Sequence, residues 1–386
     1  MKEDLRCHII EEEAKMKQLL LKPEIHKIDT FDEFYNIFEV GEKDLMLTID
    51  PIYNTYLKNK KEKLNVVFPE HYALGEPTDE MIDRILADIR NTDFNRVIAI
   101  GGGSIVDIAK LFALRQAERA EQLFLREVPI VKEKKLLIIP TTCGTGSEVT
   151  NISIALLTKK NTKMGLAGDE LYADYAVMIP ELLVKLPYKV FITSSVDALI
   201  HAAESFLSPK TCGYTELFSV KAMEIILKGY MEVIENGQEH FRTIIEDFLV
   251  ASNYAGIAFG NTGVGAVHAM SYPLGGVYHV PHGEANYQFF IEVFKYYEMK
   301  KPAGKIKEIK KLIADIIGTS EDKAFEDLGK LLNNLLALKP LKEYGMKEEE
   351  IKGFAKNVIE TQQRLLVNNY VPFTEEDLAD IYAKLY

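Results

Sequence analysis

The sequence of 386 residues contains only three cysteines, Cys7, Cys143 and Cys212. Their number is odd, they lie far apart and none forms a Cys-X-X-Cys pair, so neither a disulfide framework nor a thiolate metal site is indicated. Long apolar runs are also missing, since none approaches the roughly 18 residues that a membrane span requires. The first residues, MKEDLRCHIIEEEAK, lack the apolar core of a signal peptide. We therefore expect a cytoplasmic protein that has no membrane partner.

Positive charge is scarce as well. The chain has 46 Lys and Arg against 58 Asp and Glu, a net charge of -12. Nucleic-acid binding needs clustered Lys and Arg, so a nucleic-acid partner is not expected. The hydrophobic share of 47% is ordinary for a globular protein. The length suggests two domains.

Short apolar segments alternate with helical patterns in the first half of the chain. The strand candidates are residues 45–50, 64–68, 96–101, 135–140 and 175–180. Segment 78–91 has acidic residues in its first turn and apolar positions at helical spacing, which favours a helix. This alternation is typical of a parallel sheet covered on both faces. We expect an α/β domain at residues 1–186, in which residues 1–20 form a helical extension.

The second half differs in pattern. It contains long helical periods, such as TELFSVKAMEIILKGYMEVIE, and no comparable series of strands. We expect an all-helical domain at residues 187–386, with the boundary near Pro187.

A glycine-rich turn follows strand candidate 96–101. It consists of Gly101, Gly102, Gly103 and Ser104 and leads into a helical pattern. Glycines there allow the backbone to approach a pyrophosphate, and a helix N-terminus supplies free N–H groups and a positive dipole end. The spacing is not Gly-X-Gly-X-X-Gly, so a plain tight turn is the alternative.

A second turn, PTTCGTGSEVT, favours nucleotide binding. It places the hydroxyls of Thr141, Thr142, Thr145 and Ser147 after strand candidate 135–140. Two such loops at neighbouring strand ends of a parallel sheet face one crevice, where ligands of open α/β sheets bind. We therefore expect a Rossmann-like dinucleotide-binding domain.

Asp50, at the end of the first strand candidate, can accept hydrogen bonds from a ribose diol. An acid there favours NAD over NADP. Asp50–Pro51 is also a common turn pair, so a structural role is the alternative. Cys143 has no base near it in sequence, and we interpret it as a packing residue or a cofactor contact.

Four residues of the second half form a candidate metal site. Asp197 and His201 are four apart in a helical pattern, so both can reach one ion from the same helix face. His268 and His282 bracket a segment rich in glycine and proline that can fold back on itself. Three imidazoles and one carboxylate suit iron or zinc, not calcium or magnesium.

Two further residues are alternative ligands. Glu204 lies one turn beyond His201, and we prefer it as a hydrogen-bond acceptor that holds an imidazole. His279 lies three residues before His282, and we prefer it as a pocket residue or proton carrier.

Four segments, in this order and spacing, resemble the iron-containing (group III) alcohol dehydrogenase family over nearly the whole chain after about residue 20. They are GGGSIVDIAK, PTTCGTGSEVT, DALIHAAES and HAMSYPLGGVYHVPHGEAN. The resemblance implies a dehydroquinate synthase-like fold, with the active site in a cleft between the NAD domain and the helical metal domain. It implies that Asp197, His201, His268 and His282 bind the metal, with Fe(II) preferred and zinc possible.

The resemblance also implies an NAD site. Its loops are the two glycine-rich turns, and a lysine near the cofactor corresponds to Lys163. We add Asp107 and Leu182 to the expected cofactor contacts. Many family members have a histidine where this chain has Tyr272, and an aspartate where it has Ile179. The first difference puts a proton relay through that histidine in doubt here and places a phenol in the pocket.

Within the family, SSVDALIHA, YPLGGVYHVPHGEANY and QQRLLVNNYVPF are most similar to members that act on 4-hydroxybutyrate. Short-chain diol or lactaldehyde oxidation is the main alternative, and a dehydroquinate synthase-like lyase or a non-catalytic NAD-binding scaffold are remote ones. The metal would act as a Lewis acid on the substrate oxygen while the nicotinamide exchanges hydride. We expect His279 and Tyr272 to serve catalysis, and a homodimer to form. The substrate carboxylate could be held by Arg364, Lys163, Tyr272 or His279, among which spacing does not choose.

Overall fold

The computed structural model describes residues 17–73, 75–160 and 162–386. The strands are β1 (Glu24–Lys27), β2 (Asp44–Leu47), β3 (Asn65–Val67), β4 (Arg96–Gly101), β5 (Lys135–Pro140), β6 (Ile152–Leu157), β7 (Thr162–Ala167) and β8 (Tyr175–Met178). The helices before residue 187 are α1 (Phe31–Ile37), α2 (Asp50–Ile52), α3 (Asp79–Ile89), α4 (Gly103–Phe112) and α5 (Ala120–Phe124).

Six of the strands form one parallel sheet. Its order is β1-β8-β5-β4-β2-β3, and every neighbouring pair is parallel. The side chains of a strand point alternately to the two faces. Ile98 and Ile100 of β4 accordingly enter a large core shared with the helices of the second half. Val97 and Ala99 enter a smaller core formed with α3, α4 and α5. The predicted parallel sheet with two covered faces is confirmed.

A second, two-stranded sheet was not predicted. Strands β6 and β7 pair in antiparallel fashion, with Ile152 opposite Ala167 and Leu157 opposite Thr162. This hairpin follows the second glycine-rich turn and carries Lys163.

From Tyr188 onward the described residues form helices and turns without strands. The α-helices are α6 (Tyr188–Leu207), α7 (Gly213–Asn236), α8 (Ile245–Thr262), α9 (Ala266–Tyr278), α10 (His282–Lys300), α11 (Lys305–Ile317), α12 (Ala324–Leu335), α13 (Ile351–Thr361), α14 (Gln363–Leu366) and α15 (Glu375–Leu385). The change from strands to helices falls where the sequence predicted it. The division into domains 1–186 and 187–386 stays a prediction.

Helix α6 is the centre of the helical part. It is long and apolar enough to cross a membrane, yet 83% of its most apolar window is buried inside the protein. Such extensive burial identifies α6 as a core helix of the protein. It places Asp197 and His201 in the interior.

The predicted helical extension, residues 1–20, can be compared with the structure only at residues 17–20. Residues 1–16 lie outside the described part of the chain, and residues 17–20 are not helical, so the prediction is wrong for those four. Instead, the backbone of Leu20 forms two hydrogen bonds with the side chain of Asn261 on α8. An extended segment suits this pairing because its backbone N–H and C=O are free for the amide.

Candidate metal centre and cofactor loops

The structure brings the four predicted ligands together. Asp197 and His201 lie one turn apart on α6, His268 lies on α9, and His282 is the first residue of α10. One ligand atom from each lies within 4.8 Å of the ligand atoms of the others. Asp197, His201 and His268 are buried, and His282 has a third of its side chain exposed.

The histidine tautomers test whether a cation fits this cluster. His201 Nδ1 lies 3.2 Å from the carbonyl oxygen of Gly144, and His268 Nδ1 lies 2.6 Å from Glu204 Oε2. A carbonyl or carboxylate oxygen only accepts, so both Nδ1 atoms carry a proton and the Nε2 atoms are the nitrogens available to an ion. These Nε2 atoms lie 2.9 Å apart. Two facing nitrogens require a cation between them, either a proton held by His268 or a metal ion, and three imidazoles with one carboxylate suit a metal ion.

The charges of the cluster agree with a cation site. Burial alone would raise the pKa of Asp197, but His201, His282 and His268 lower it well below its usual value. Burial lowers the pKa of His201 to about 3 and also lowers that of His282. Burial opposes protonation of His268 too, yet Glu204 and Asp197 raise its pKa to about 9. An ionised carboxylate therefore faces imidazoles in a buried pocket that favours positive charge.

Glu204 has the role that the sequence favoured. Its Oε2 accepts from His268, and its Oε1 accepts from the backbone N–H of Val267 at 2.8 Å. Both oxygens are engaged, and Glu204 is not among the four clustered residues. It holds a ligand instead of being one.

Asn286 belongs to the site and was missed by the sequence analysis. Its Nδ2 donates to Asp197 Oδ1 at 2.7 Å and lies 3.1 Å from His282 Nε2. The available signal was its position four residues after His282, on the same face of α10.

The two glycine-rich turns lie side by side. They follow β4 and β5, which are neighbours in the sheet. A Cβ added to Gly102 would lie 3.4 Å from Thr142 Cγ2, and one added to Gly103 would lie 2.9 Å from Thr145 Cγ2. Helix α4 begins at Gly103, with Ser104 as its second residue, and its N-cap residue Gly102 has no side chain that could cap it. N–H groups of the first turn are therefore available to an anion, and the pyrophosphate site stays a prediction.

Several predicted cofactor residues bond to the protein itself. Asp107 Oδ1 accepts from Ser147 Oγ at 2.9 Å, and Asp107 Oδ2 accepts from the N–H of Ile154 at 3.1 Å. Thr141 donates its N–H to the Gly101 carbonyl at 3.1 Å. These bonds shape the loops. Leu182 is buried in the turn after β8.

Asp50 was predicted at the end of a strand, but β2 already ends at Leu47 and Asp50 begins α2. Its Oδ2 lies 2.8 Å from His71 Nε2, and its N–H donates to Glu70 Oε1 at 2.9 Å. His71 was not among the predicted site residues. A ribose at this place would meet an aspartate whose orientation is held by His71.

The structure separates the two predicted catalytic residues. Tyr272 is buried, and its ring centroid lies 6.2 Å from that of His282. His279 is exposed at the C-terminal end of α9, with a φ of 56°, and is not one of the four clustered residues. Tyr272 therefore borders the metal centre, whereas His279 lies at the protein surface.

Cys143 is completely buried, with Ser194 Oγ 3.6 Å from its sulfur. Burial raises the pKa of its thiol to about 12. Its environment is that of a packing residue, not of a nucleophile.

Comparison with known proteins gives a consistent family. The model described as "Iron-containing alcohol dehydrogenase" matches residues 28–180, and that described as "Fe-containing alcohol dehydrogenase family, C-terminal" matches residues 191–386. A relative from Clostridium kluyveri named 4-hydroxybutyrate dehydrogenase is 57% identical over 371 residues, covering 96% of this chain and 100% of the relative. Long-chain-alcohol dehydrogenase 1 of Geobacillus thermodenitrificans is 34% identical over 80% of both chains.

Solved structures agree in fold. A 1,3-propanediol oxidoreductase superposes with a TM-score of 0.82 at 22% identity, over 95% of this chain and 99% of that one. A sulfoacetaldehyde reductase from Bifidobacterium kashiwanohense, in complex with NAD+, gives 0.79 at 22% identity, over 95% and 98%. With two family models covering most of its length, this chain belongs to the iron-containing alcohol dehydrogenase family.

Proposed function

We propose that the protein is an NAD-dependent, metal-dependent alcohol dehydrogenase that interconverts 4-hydroxybutyrate and succinate semialdehyde. The observation that carries the reaction class is the pair of imidazole Nε2 atoms of His201 and His268, 2.9 Å apart, next to two loops suited to a dinucleotide. The relative from Clostridium kluyveri supports the choice of substrate.

Asp197, His201, His268 and His282 would hold the ion. Imidazole and carboxylate donors accept both Fe(II) and zinc, and the family description favours iron. A divalent ion there supplies Lewis acidity, which makes a substrate hydroxyl more acidic.

The chain's own residues prepare the site. Glu204 fixes the tautomer and orientation of His268, and the Gly144 carbonyl does the same for His201. Asn286 orients the carboxylate of Asp197. Buried surroundings keep water away from these groups, which strengthens their electrostatic effect on the reacting atoms. The loops at Gly101–Ser104 and Thr141–Ser147 would position the nicotinamide through its pyrophosphate.

His279 is proposed to pass the hydroxyl proton to solvent, because it is exposed and lies three residues before His282 of the metal cluster. An unchanged pH–rate profile in His279→Ala would exclude this role.

The reaction is tested by anaerobic purification with metal analysis, followed by NAD reduction with different alcohols. The panel is 4-hydroxybutyrate, 1,3-propanediol, 1,2-propanediol and 1-butanol. We expect the highest kcat/KM with 4-hydroxybutyrate. A higher value for a diol would assign the protein to short-chain diol oxidation. Absence of activity on every alcohol with iron or zinc restored would reject the dehydrogenase function.

We also propose that the protein acts as a homodimer in the cytoplasm. Strand β1 supports self-association, because it is an exposed edge of the sheet that a second copy could cover. A monomeric mass in light scattering, or recovery in a membrane fraction, would contradict this.

A further inference from the structure

Beyond the metal centre, three side chains from different elements converge. Tyr272 of α9 lies next to His282, and Lys163 Nζ of β7 lies 5.6 Å from the centroid of the Tyr272 ring. Arg364 of α14 reaches the same strand, because its Nη2 lies 3.4 Å from the position of a Cβ added to Gly165 of β7, and its charge acts on the Tyr272 hydroxyl. Two cations and a phenol therefore lie on one side of the site.

The two cations differ in what already binds them. Lys163 forms an ion pair with Glu76 and is largely buried. Arg364 is exposed, and no carboxylate of the described residues forms an ion pair with it. A guanidinium presents several donors in a fixed plane, which suits a carboxylate. Arg364 thus presents a guanidinium without an ion pair among the described residues, whereas the charge of Lys163 is already balanced by Glu76.

Arg364 is not required to hold its helix in place. The neighbouring Leu365 is buried in the core. Asn368 Nδ2 donates to the carbonyl of Val264 at 3.0 Å, and Asn369 Oδ1 accepts from Tyr297 at 3.1 Å. These contacts fix the segment independently of the guanidinium. They give Arg364 a defined position rather than a packing function.

Two glycines leave room around the cations. A Cβ added to Gly165 would lie 3.4 Å from Arg364 Nη2, and one added to Gly275 would lie 3.1 Å from Lys163 Nζ. Side chains at these positions would crowd the space between β7 and α9. The two glycines therefore allow the cations to lie close to the backbone of β7 and α9.

We propose that the Arg364 guanidinium binds the carboxylate of the substrate, with the Tyr272 hydroxyl as a second donor. This rests on the proposed function and specifies its substrate class, a short ω-hydroxy carboxylate whose hydroxyl end lies at the metal centre. A phenol hydroxyl can donate one hydrogen bond, so Tyr272 can serve as a donor to a carboxylate oxygen. Tyr272 borders both the metal ligand His282 and Arg364, as a substrate with its two polar groups at opposite ends requires.

The test compares a charged with an uncharged substrate. Arg364→Gln should raise KM for 4-hydroxybutyrate roughly 10- to 100-fold, as expected for loss of a charged hydrogen bond, and leave KM for 1-butanol and for NAD unchanged. Arg364→Lys should recover part of this loss. Tyr272→Phe should raise KM for 4-hydroxybutyrate by roughly 2- to 10-fold. Arg90→Gln, at an exposed arginine after α3, is the matched control and should change neither KM.

Butyrate provides a second measurement that does not depend on the preferred alcohol. It should inhibit 1-butanol oxidation competitively in the wild type and much more weakly in Arg364→Gln. If the wild type prefers a diol but this difference in inhibition is present, the proposed substrate is wrong and the carboxylate site stands. Equal increases in KM for both alcohols, an increase in KM for NAD, or unchanged butyrate inhibition would overturn the role of Arg364.

Discussion

Glu204 fixes the orientation and the tautomer of His268. Its two oxygens accept from His268 Nδ1 and from the backbone of Val267, so the carboxylate is fixed from two sides. The negative charge of Glu204 makes His268 Nε2 more basic and therefore a stronger metal ligand. The metal affinity of the site should therefore depend on Glu204, although Glu204 does not bind the ion.

Glu204→Gln should lower metal affinity about 10- to 100-fold, the usual effect of losing a partner of a ligating histidine. The glutamine keeps the size of the side chain but removes the negative charge. Isothermal titration calorimetry of the metal-free protein with zinc or cobalt measures the metal affinity of each variant. Glu239→Gln, at an exposed position of the same charge, is the control. Equal affinity in both variants would contradict this role.

At this scale, local spacing predicted most of the metal centre. Asp197 and His201 share a helix face by their separation alone, and Glu204 follows by the same rule. Asn286 follows His282 by four residues, the same spacing as from Asp197 to His201. An amide is rarely a metal ligand, so this spacing alone did not predict a role for Asn286. The Asp50–His71 contact joins residues 21 apart, across a strand and a turn, so no local pattern predicts it.

Among the elements, α4 and β6 are joined by a buried lysine. Lys110 Nζ donates to Ser147 Oγ at 2.8 Å, to Thr150 Oγ1 at 3.2 Å and to the carbonyl of Ile152 at 2.7 Å. Burial lowers its pKa to about 8, opposed by Asp107 and Glu148. This lysine connects the helix after the first glycine-rich turn to the end of the second turn.

Lys110→Met should lower the free energy of unfolding by about 3–5 kcal/mol, because it leaves the Asp107 carboxylate buried without its cation. It should also raise KM for NAD, since both turns lose a common attachment. Urea denaturation followed by circular dichroism measures the first effect. Lys307→Met on the exposed face of α11 is the control, expected within about 0.5 kcal/mol of the wild type. The same stability in both variants would count against the prediction.

The strands divide into those that the sequence could predict and those that it could not. Strands β4 and β5 are buried on both faces and read as continuous apolar runs, which makes them recognisable. Strand β1 is a short, exposed edge strand with the sequence EIHK. Strand β7 contains Lys163 and Gly165 and has only one buried residue. Strand β1 forms by pairing with the distant β8, and β7 by pairing with the adjacent β6. The composition of neither strand favours extended structure by itself.

Across the whole molecule, the loop after β5 connects the two predicted sites. The Gly144 carbonyl accepts from His201, and the same loop carries Thr142 and Thr145, two of the predicted cofactor contacts. Gly146, with a φ of +54°, lies so close to α8 that a Cβ on it would be 2.4 Å from Gly256 Cα. A metal ion and a dinucleotide would thus contact the same loop, and this loop packs against α8.

A shared loop predicts that metal and NAD strengthen each other's binding. Binding of either ligand should order the loop in the conformation that the other needs, with a coupling factor of roughly 5- to 100-fold. Calorimetric titration with NAD, before and after metal removal by a chelator, measures this factor. By linkage, metal affinity must rise by the same factor when NAD is present.

Gly256→Ala tests whether the loop carries this coupling. Its added Cβ would lie 2.7 Å from Val149 Cγ2 and 2.8 Å from Gly146 Cα, so the loop must move away from α8. The coupling factor should fall towards one and NAD should bind more weakly, while the four metal ligands remain in place. Gly353→Ala is the control, since its Cβ would meet nothing within 4 Å in another helix. A factor of one in the wild type would mean that the sites are independent. An unchanged factor in Gly256→Ala would mean that the coupling passes elsewhere than through the loop between β5 and α8.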